Sequence, residues 1–248
     1  MKIVIKNDPH ELGKAAGKLS GQLIRSMISQ NGQANIILAT GASQFETLKQ
    51  LVEEKGIDWS KVVMFHLDEY IGLPESSPAS FRKYLKERFL DKISPLKAYY
   101  LINGEADPET EYRRLNNLIK NYPIDVALVG IGENGHLAFN DPPADFDIKQ
   151  PYLIVNLDEQ CRKQQFAEGW FKSLAEVPQK AISMSIHQIL KSKYIICSTP
   201  DSRKANAVKH CLEQPVSHLY PASILQLHPD CTCFLDKHSA ALLVIGDE

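Results

Sequence analysis

From end to end, the chain alternates short apolar runs with longer stretches whose apolar positions recur every three or four residues. The runs at 34–40, 61–67, 98–102 and 126–131 have the length and composition of strands buried on both faces. Val4 and Ile5 open a shorter strand, and 152–157, 180–186, 193–198 and 231–235 continue the series, with 240–245 closing it. Between them lie amphipathic stretches. Leu12, Ala15, Leu19, Leu23, Ile24 and Met27 predict one buried face on a helix over about 10–30. Asp8-Pro9 supplies its N-cap and first-turn proline, and Asn31-Gly32 its stop. Further helices are expected from near Gln44, up to about Leu90 (Tyr84, Leu85 and Phe89 inward), over 108–121 and 160–174, and from near Asp201. Strict alternation without repeat or linker predicts an α/β chain with a mostly parallel sheet, most simply one domain over 1–248.

Composition narrows the function classes. With 248 residues, 44% hydrophobic and 23% charged, the chain is of ordinary globular type. A formal charge of -2 offers no electrostatic case for nucleic acid or an anionic membrane, so an anionic ligand has to be held by local geometry. No apolar run approaches the roughly 20 residues of a membrane span, and the first six residues turn polar too soon for a secretory signal. The cysteines (161, 197, 211, 231 and 233) are odd in number with only a C-x-C pair close together, which suits neither a disulfide framework nor a zinc motif. Reduced thiols and a cytoplasmic setting are expected.

Candidate chemistry concentrates at the carboxyl ends of predicted strands, where open α/β sheets place their ligands. The run 126–131 breaks into Gly132-Glu133-Asn134-Gly135-His136 and ends in Asn140-Asp141-Pro142. That loop carries a histidine and ends in a carboxylate, although Asn134-Gly135 is also a plain turn signal. After strand 34–40, Thr40-Gly41-Ala42-Ser43 is either a phosphate-type turn at a helix amino terminus or a helix capped by Ser43. Neither a Walker loop nor a G-x-G-x-x-G is present. After strand 61–67, Asp68 and Glu69 point to opposite sides of an extended chain, so one can face the crevice while the other anchors the loop. Arg203 and Lys204 fall in a first helical turn, unfavourable for the helix dipole unless an anion binds there; two lone surface charges are the other reading.

These stretches resemble the glucosamine-6-phosphate deaminase/isomerase family over about 36–235. The likeness rests on 38–43, 65–74, 130–142, 202–205 and 223–229 taken together and in order. The resemblance implies a Rossmann-like fold, with helices on both faces of an open sheet. It implies ring opening, isomerisation and deamination of an aldose 2-amino-2-deoxy 6-phosphate, with no metal and no redox cofactor. Asp68 would be the base moving the C2 proton to C1, and His136 would accept the anomeric hydroxyl's proton. Asn134 and Asp141 occupy the positions that orient and tune that histidine. Thr40, Gly41, Ala42 and Ser43 would cradle the phosphate and Lys204 would add a point charge. Three departures stand out: Asn134 where some members have Asp, Asp141 where Glu is usual, and no match to the family's phosphate-binding arginine in 164–171, with Arg162 nearby but unassigned. A galactosamine-6-phosphate deaminase, a 6-phosphogluconolactonase and a non-catalytic sugar-phosphate sensor are the alternatives. A homo-oligomer is possible, and the absence of a long tail after Glu248 leads us to expect weak or no allosteric activation.

Overall fold

The computed structural model describes residues 1–244. Strand β1 (Lys2–Lys6) leads into α1 (Pro9–Asn31), which opens with Asp8 accepting the Glu11 N–H and stops at left-handed Gly32. Then follow β2 (Ala34–Leu38), α2 (Phe45–Glu53), β3 (Val62–His66), β4 (Asp68–Tyr70), α3 (Phe81–Arg88), β5 (Ala98–Tyr100), α4 (Pro108–Ile119) and β6 (Val126–Val129). The remainder comprises β7 (Tyr152–Asn156), α5 (Glu159–Ala167), β8 (Lys180–Met184), α6 (Ile186–Leu190), β9 (Tyr194–Thr199), α7 (Ala205–Glu213) and β10 (Cys231–Asp236).

Seven strands form one parallel sheet in the order β1-β10-β9-β6-β2-β3-β5. From β2 the chain winds outward through β3 to β5; from β6 it winds the other way through β9 to β10. The reversal falls between β2 and β6, which is where such sheets bind ligands. Successive strand residues feed opposite faces, as a period of two requires. Ile36, Leu38, Met64 and Leu128 pack under α1, α2 and α3, whereas Ile37, Phe65, Ala127 and Val129 pack against α4, α6 and α7. Helices therefore cover both faces, as expected.

Helix α1 departs from the predicted face. Ala15, Leu19 and Leu23 are only partly buried, while Gly13, Gly17 and Gly21 are fully packed. A Cβ at Gly17 would stand 2.6 Å from the Thr47 carbonyl oxygen, and one at Gly13 2.2 Å from Glu46 Cβ. This stripe, four residues apart, lets α2 lie against α1 at close range, and Arg25 pairs with Glu54 at its end.

Several predicted boundaries are corrected. Residues 68–70 are not loop but an edge strand of a second, antiparallel sheet, β4-β8-β7. The helix expected over 160–174 ends at Ala167, with left-handed Gly169 following and a 3-10 turn at Leu174–Glu176. Residue 186, read as strand, starts α6, because Ser185 caps Gln188. No strand forms over 240–243, which are turn; 244 is unstructured and Ile245 lies outside the described residues.

Candidate active site

A cavity of about 550 Å³, counting its open mouth, lies at the β2/β6 reversal. Thr40, Gly41, Ala42, Ser43, Asp68, His136 and Lys204 all line it, so residues far apart in sequence converge there. Asn134 and Asp141 do not line it; they stand behind His136.

The turn after β2 is shaped by Gly41, whose φ of 88° favours glycine. Its carbonyl accepts from the Gln44 N–H at 3.1 Å and the Tyr84 hydroxyl at 3.0 Å. Ser43 does not cap α2: it sits inside a 3-10 turn, Ala42–Gln44, and Gln44 holds the cap position. The first N–H groups of such a turn have no partner within it and are open to an anion. Gln44 reaches the other way, donating to the Val129 and Ser198 carbonyls and so tying the turn to β6 and β9.

Asp68 and Glu69 divide as an extended strand dictates. Glu69 is wholly buried and accepts from the Ser80 hydroxyl, the Tyr70, Phe81 and Arg82 N–H groups and the Arg82 side chain. Burial raises its pKa, opposed by those donors and by the Arg82 charge. It is an anchor for α3, as one of the two adjacent carboxylates was expected to be. Asp68 faces the cavity, and burial, then Glu69, then Asp141 push its pKa up to about 8. His66, two residues earlier, is structural: its Nε2 accepts from the Ile102 N–H at 2.8 Å. Burial, with Arg82 nearby, drives its pKa down to about 3, so the ring stays neutral.

The His136 loop is pinned by its neighbours. Asn140 donates to the Leu137 and Met184 carbonyls, the Ser183 hydroxyl accepts from the Phe139 N–H, and Asn134 Oδ1 accepts from the His136 N–H. The ring lies flat over Gly132, where a Cβ would approach Cε1 to 2.2 Å, so only glycine fits. His136 Nδ1 stands 3.4 Å from Asp141 Oδ1, at ion-pair range but without hydrogen-bond alignment. Asn134 Nδ2 bridges Asp141 and Asp158, each at 3.2 Å. Burial acts to raise the Asp141 pKa, but His136, the Asp158 N–H and Asn134 together bring it below the usual value.

At the opposite end, Lys204 is buried, which lowers its pKa against the pull of Glu168 and Glu133. Arg203 is instead consumed by Asp201 at 2.9 Å and Glu133 at 3.3 Å. The expected first-turn pair thus splits into one cavity cation and one surface ion pair. Arg162 is also occupied, donating to the Leu174 and Val177 carbonyls and knitting the segment after α5. The sequence reading missed Glu168, which lines the cavity beside Gly41 and is held there by Gln164 and the Trp170 indole. Only the failed match to an arginine in 164–171 hinted that this wall is unusual.

An open, reversing parallel sheet with a carboxylate, a histidine–acid pair and a cation-flanked turn at the reversal defines an α/β enzyme-type site for a small anionic ligand. The chain belongs to the glucosamine-6-phosphate isomerases/6-phosphogluconolactonase family, whose model matches residues 7–233. It is 38% identical to a glucosamine-6-phosphate deaminase of Streptococcus sanguinis over 92% of this chain and 94% of that one. It is 36% identical to one of Lactobacillus delbrueckii subsp. bulgaricus over 98% and 100%. A solved monomeric glucosamine-6-phosphate deaminase superposes with a TM-score of 0.89 at 34% identity, covering 98% of this chain and 100% of that one. The 6-phosphogluconolactonase of Trypanosoma brucei, at 19% identity, 98% coverage of both chains and a TM-score of 0.79, shares the fold.

Proposed function

We propose that this chain is a glucosamine-6-phosphate deaminase, converting glucosamine 6-phosphate and water to fructose 6-phosphate and ammonia within one domain. The observation that carries the reading is the single cavity lined by Asp68, His136, Lys204 and the 40–43 turn. The phosphate lies on the Thr40–Ser43 turn against Lys204, which fixes the sugar's far end. His136 takes the proton of the anomeric hydroxyl as the ring opens, with Asn134 and Asp141 as positioning residues that hold its ring. Asp68 then removes the C2 proton and returns it to C1, and water releases the amine as ammonia. The two neighbouring carbons are served by one carboxylate, so no second base is required.

The base has to be ionised, yet before substrate binds its pKa is near 8. A substrate ammonium arriving beside it favours the charged form, so binding itself prepares the base. The five free, buried cysteines fit a reducing, cytoplasmic setting. The proposed reaction itself fits a role in amino-sugar metabolism, including the catabolism of N-acetylglucosamine. Among the described residues no helix is long and apolar enough to cross a membrane.

The test is ammonia release from glucosamine 6-phosphate, with galactosamine 6-phosphate and 6-phosphogluconolactone in parallel. Turnover of glucosamine 6-phosphate with the highest kcat/KM is expected. Hydrolysis of the lactone alone, or binding of the aminosugar phosphates without ammonia release, would overturn the reading.

A further inference from the structure

We propose that His136, Asp141 and Cys161 form a binding site for a borderline-soft divalent ion of the zinc type, which inhibits the enzyme. The potential donor atoms of the three side chains all lie within 4.8 Å of one another. Tetrahedral zinc with bonds of about 2.0–2.3 Å sets its ligands roughly 3.3–3.8 Å apart. The 3.4 Å between His136 Nδ1 and Asp141 Oδ1 already matches one such edge. Closing the 4.8 Å spread of the three donors to that range takes a shift of about 1 Å and leaves a fourth position for water. One imidazole, one carboxylate and one thiol select zinc over magnesium or calcium, which take oxygen donors.

A second feature of the same pair points to a ligand. His136 is only 7% exposed, and its Nδ1 has no hydrogen-bond partner among the described residues. Buried polar atoms are rarely left so. Asp141 lines an open cleft together with Asp145 and Asp158, and no Lys or Arg is among that cleft's described lining residues. No sequence motif announces the site, because Cys161 is on α5 whereas His136 and Asp141 are on the loop after β6.

On binding, a metal–sulfur bond forms as the Cys161 S–H bond breaks and its proton passes to solvent. Nδ1 donates its lone pair to the ion, and any proton it carried moves to Nε2. An imidazole bound to metal through Nδ1 keeps its proton on Nε2 and can no longer accept one there. The inhibition, unlike the site itself, rests on the ring-opening role proposed for His136.

Cobalt(II) titration of the metal-free, full-length protein tests the site without recourse to activity. One equivalent should raise a thiolate-to-cobalt charge-transfer band that zinc abolishes. Cys161→Ser and Cys161→Ala should lose the band and bind zinc more than about 100-fold more weakly, exceeding the loss typical of outer-shell changes. Both variants should retain basal turnover and shed zinc sensitivity. No band in the wild type, or a band and zinc affinity unchanged in the Cys161 variants, would overturn the proposal. Cobalt and zinc binding that is lost with Cys161 but leaves wild-type turnover untouched would uphold the site and remove only the assigned role of His136.

Discussion

The two ends of the cavity solve different electrostatic problems. At the proton-transfer end, each charged group has a neighbour that determines its state: Glu69 is saturated with donors, Asp141 is held ionised, and Asp68 is left with burial and two like charges. At the anion end, a buried lysine is matched by carboxylates of the chain itself, Glu168 on the cavity wall and Glu133 4.0 Å away. The first end is poised for chemistry before anything binds. The second is already partly neutralised, so a phosphate has to compete there with Glu168. Reactivity and affinity are thus set by separate groups and can be separated by mutation.

The sharpest separation comes from Asp68→Asn. Loss of a general base typically costs about 10²–10⁴-fold, so kcat should fall by that order while sugar-phosphate binding, read by calorimetry, persists. In the wild type, the acidic limb of kcat/KM should lie near pH 8, because that parameter reports the free enzyme. Stability should move the opposite way. A carboxylate whose folded pKa is raised holds its proton in the folded state between about pH 3.9 and 8, so stability is lost as pH climbs through that window. An uncharged amide escapes the penalty, and Asp68→Asn should melt at least about 2 °C higher at pH 8. Equal loss of binding and turnover would break the division between the two ends.

Lys204→Met probes the other end. A charge-assisted hydrogen bond to phosphate is worth about 1.5–3 kcal/mol, so kcat/KM should drop roughly 10- to 150-fold, chiefly through KM. A fall confined to kcat would mean that Lys204 acts on the reacting carbons rather than on the phosphate.

This contrast also explains what could be read from the sequence. Thr40–Ser43, Asp68-Glu69 and 130–142 each combine a strand with the loop that leaves it, so period and turn chemistry reveal both the element and its place at a strand end. The loop itself put Asp141 near His136 in sequence, but its role toward the histidine came only through the resemblance, and the geometry then sets them 3.4 Å apart. The wall bearing Gln164 and Glu168 was illegible. Its helical pattern runs past Ala167, but Glu168 and Gly169 turn the chain back over the cavity through contacts to Trp170 and Gln164 that no local period encodes. The glycine stripe of α1 was hidden for a related reason: its value lies in how closely α2 approaches, not in its own apolarity.

Glu168→Gln is the smallest change and the one that most sharpens the comparison. The amide keeps the side chain's length, and its one oxygen can still accept from Gln164 while only the longer contact from the Trp170 indole is given up, so the wall should remain largely in place. What disappears is one negative charge beside Gly41, on the wall of the cavity that Lys204 also lines. Removing a like charge near a partly screened anion is worth about 1 kcal/mol, which predicts a KM for glucosamine 6-phosphate lowered roughly fivefold with kcat little changed. Inorganic phosphate should inhibit the variant more strongly by a similar factor, since it shares the anion end and none of the chemistry. If instead KM rises, Glu168 contacts the sugar directly, and the anion end is a recognition surface rather than a site closed by its own carboxylate.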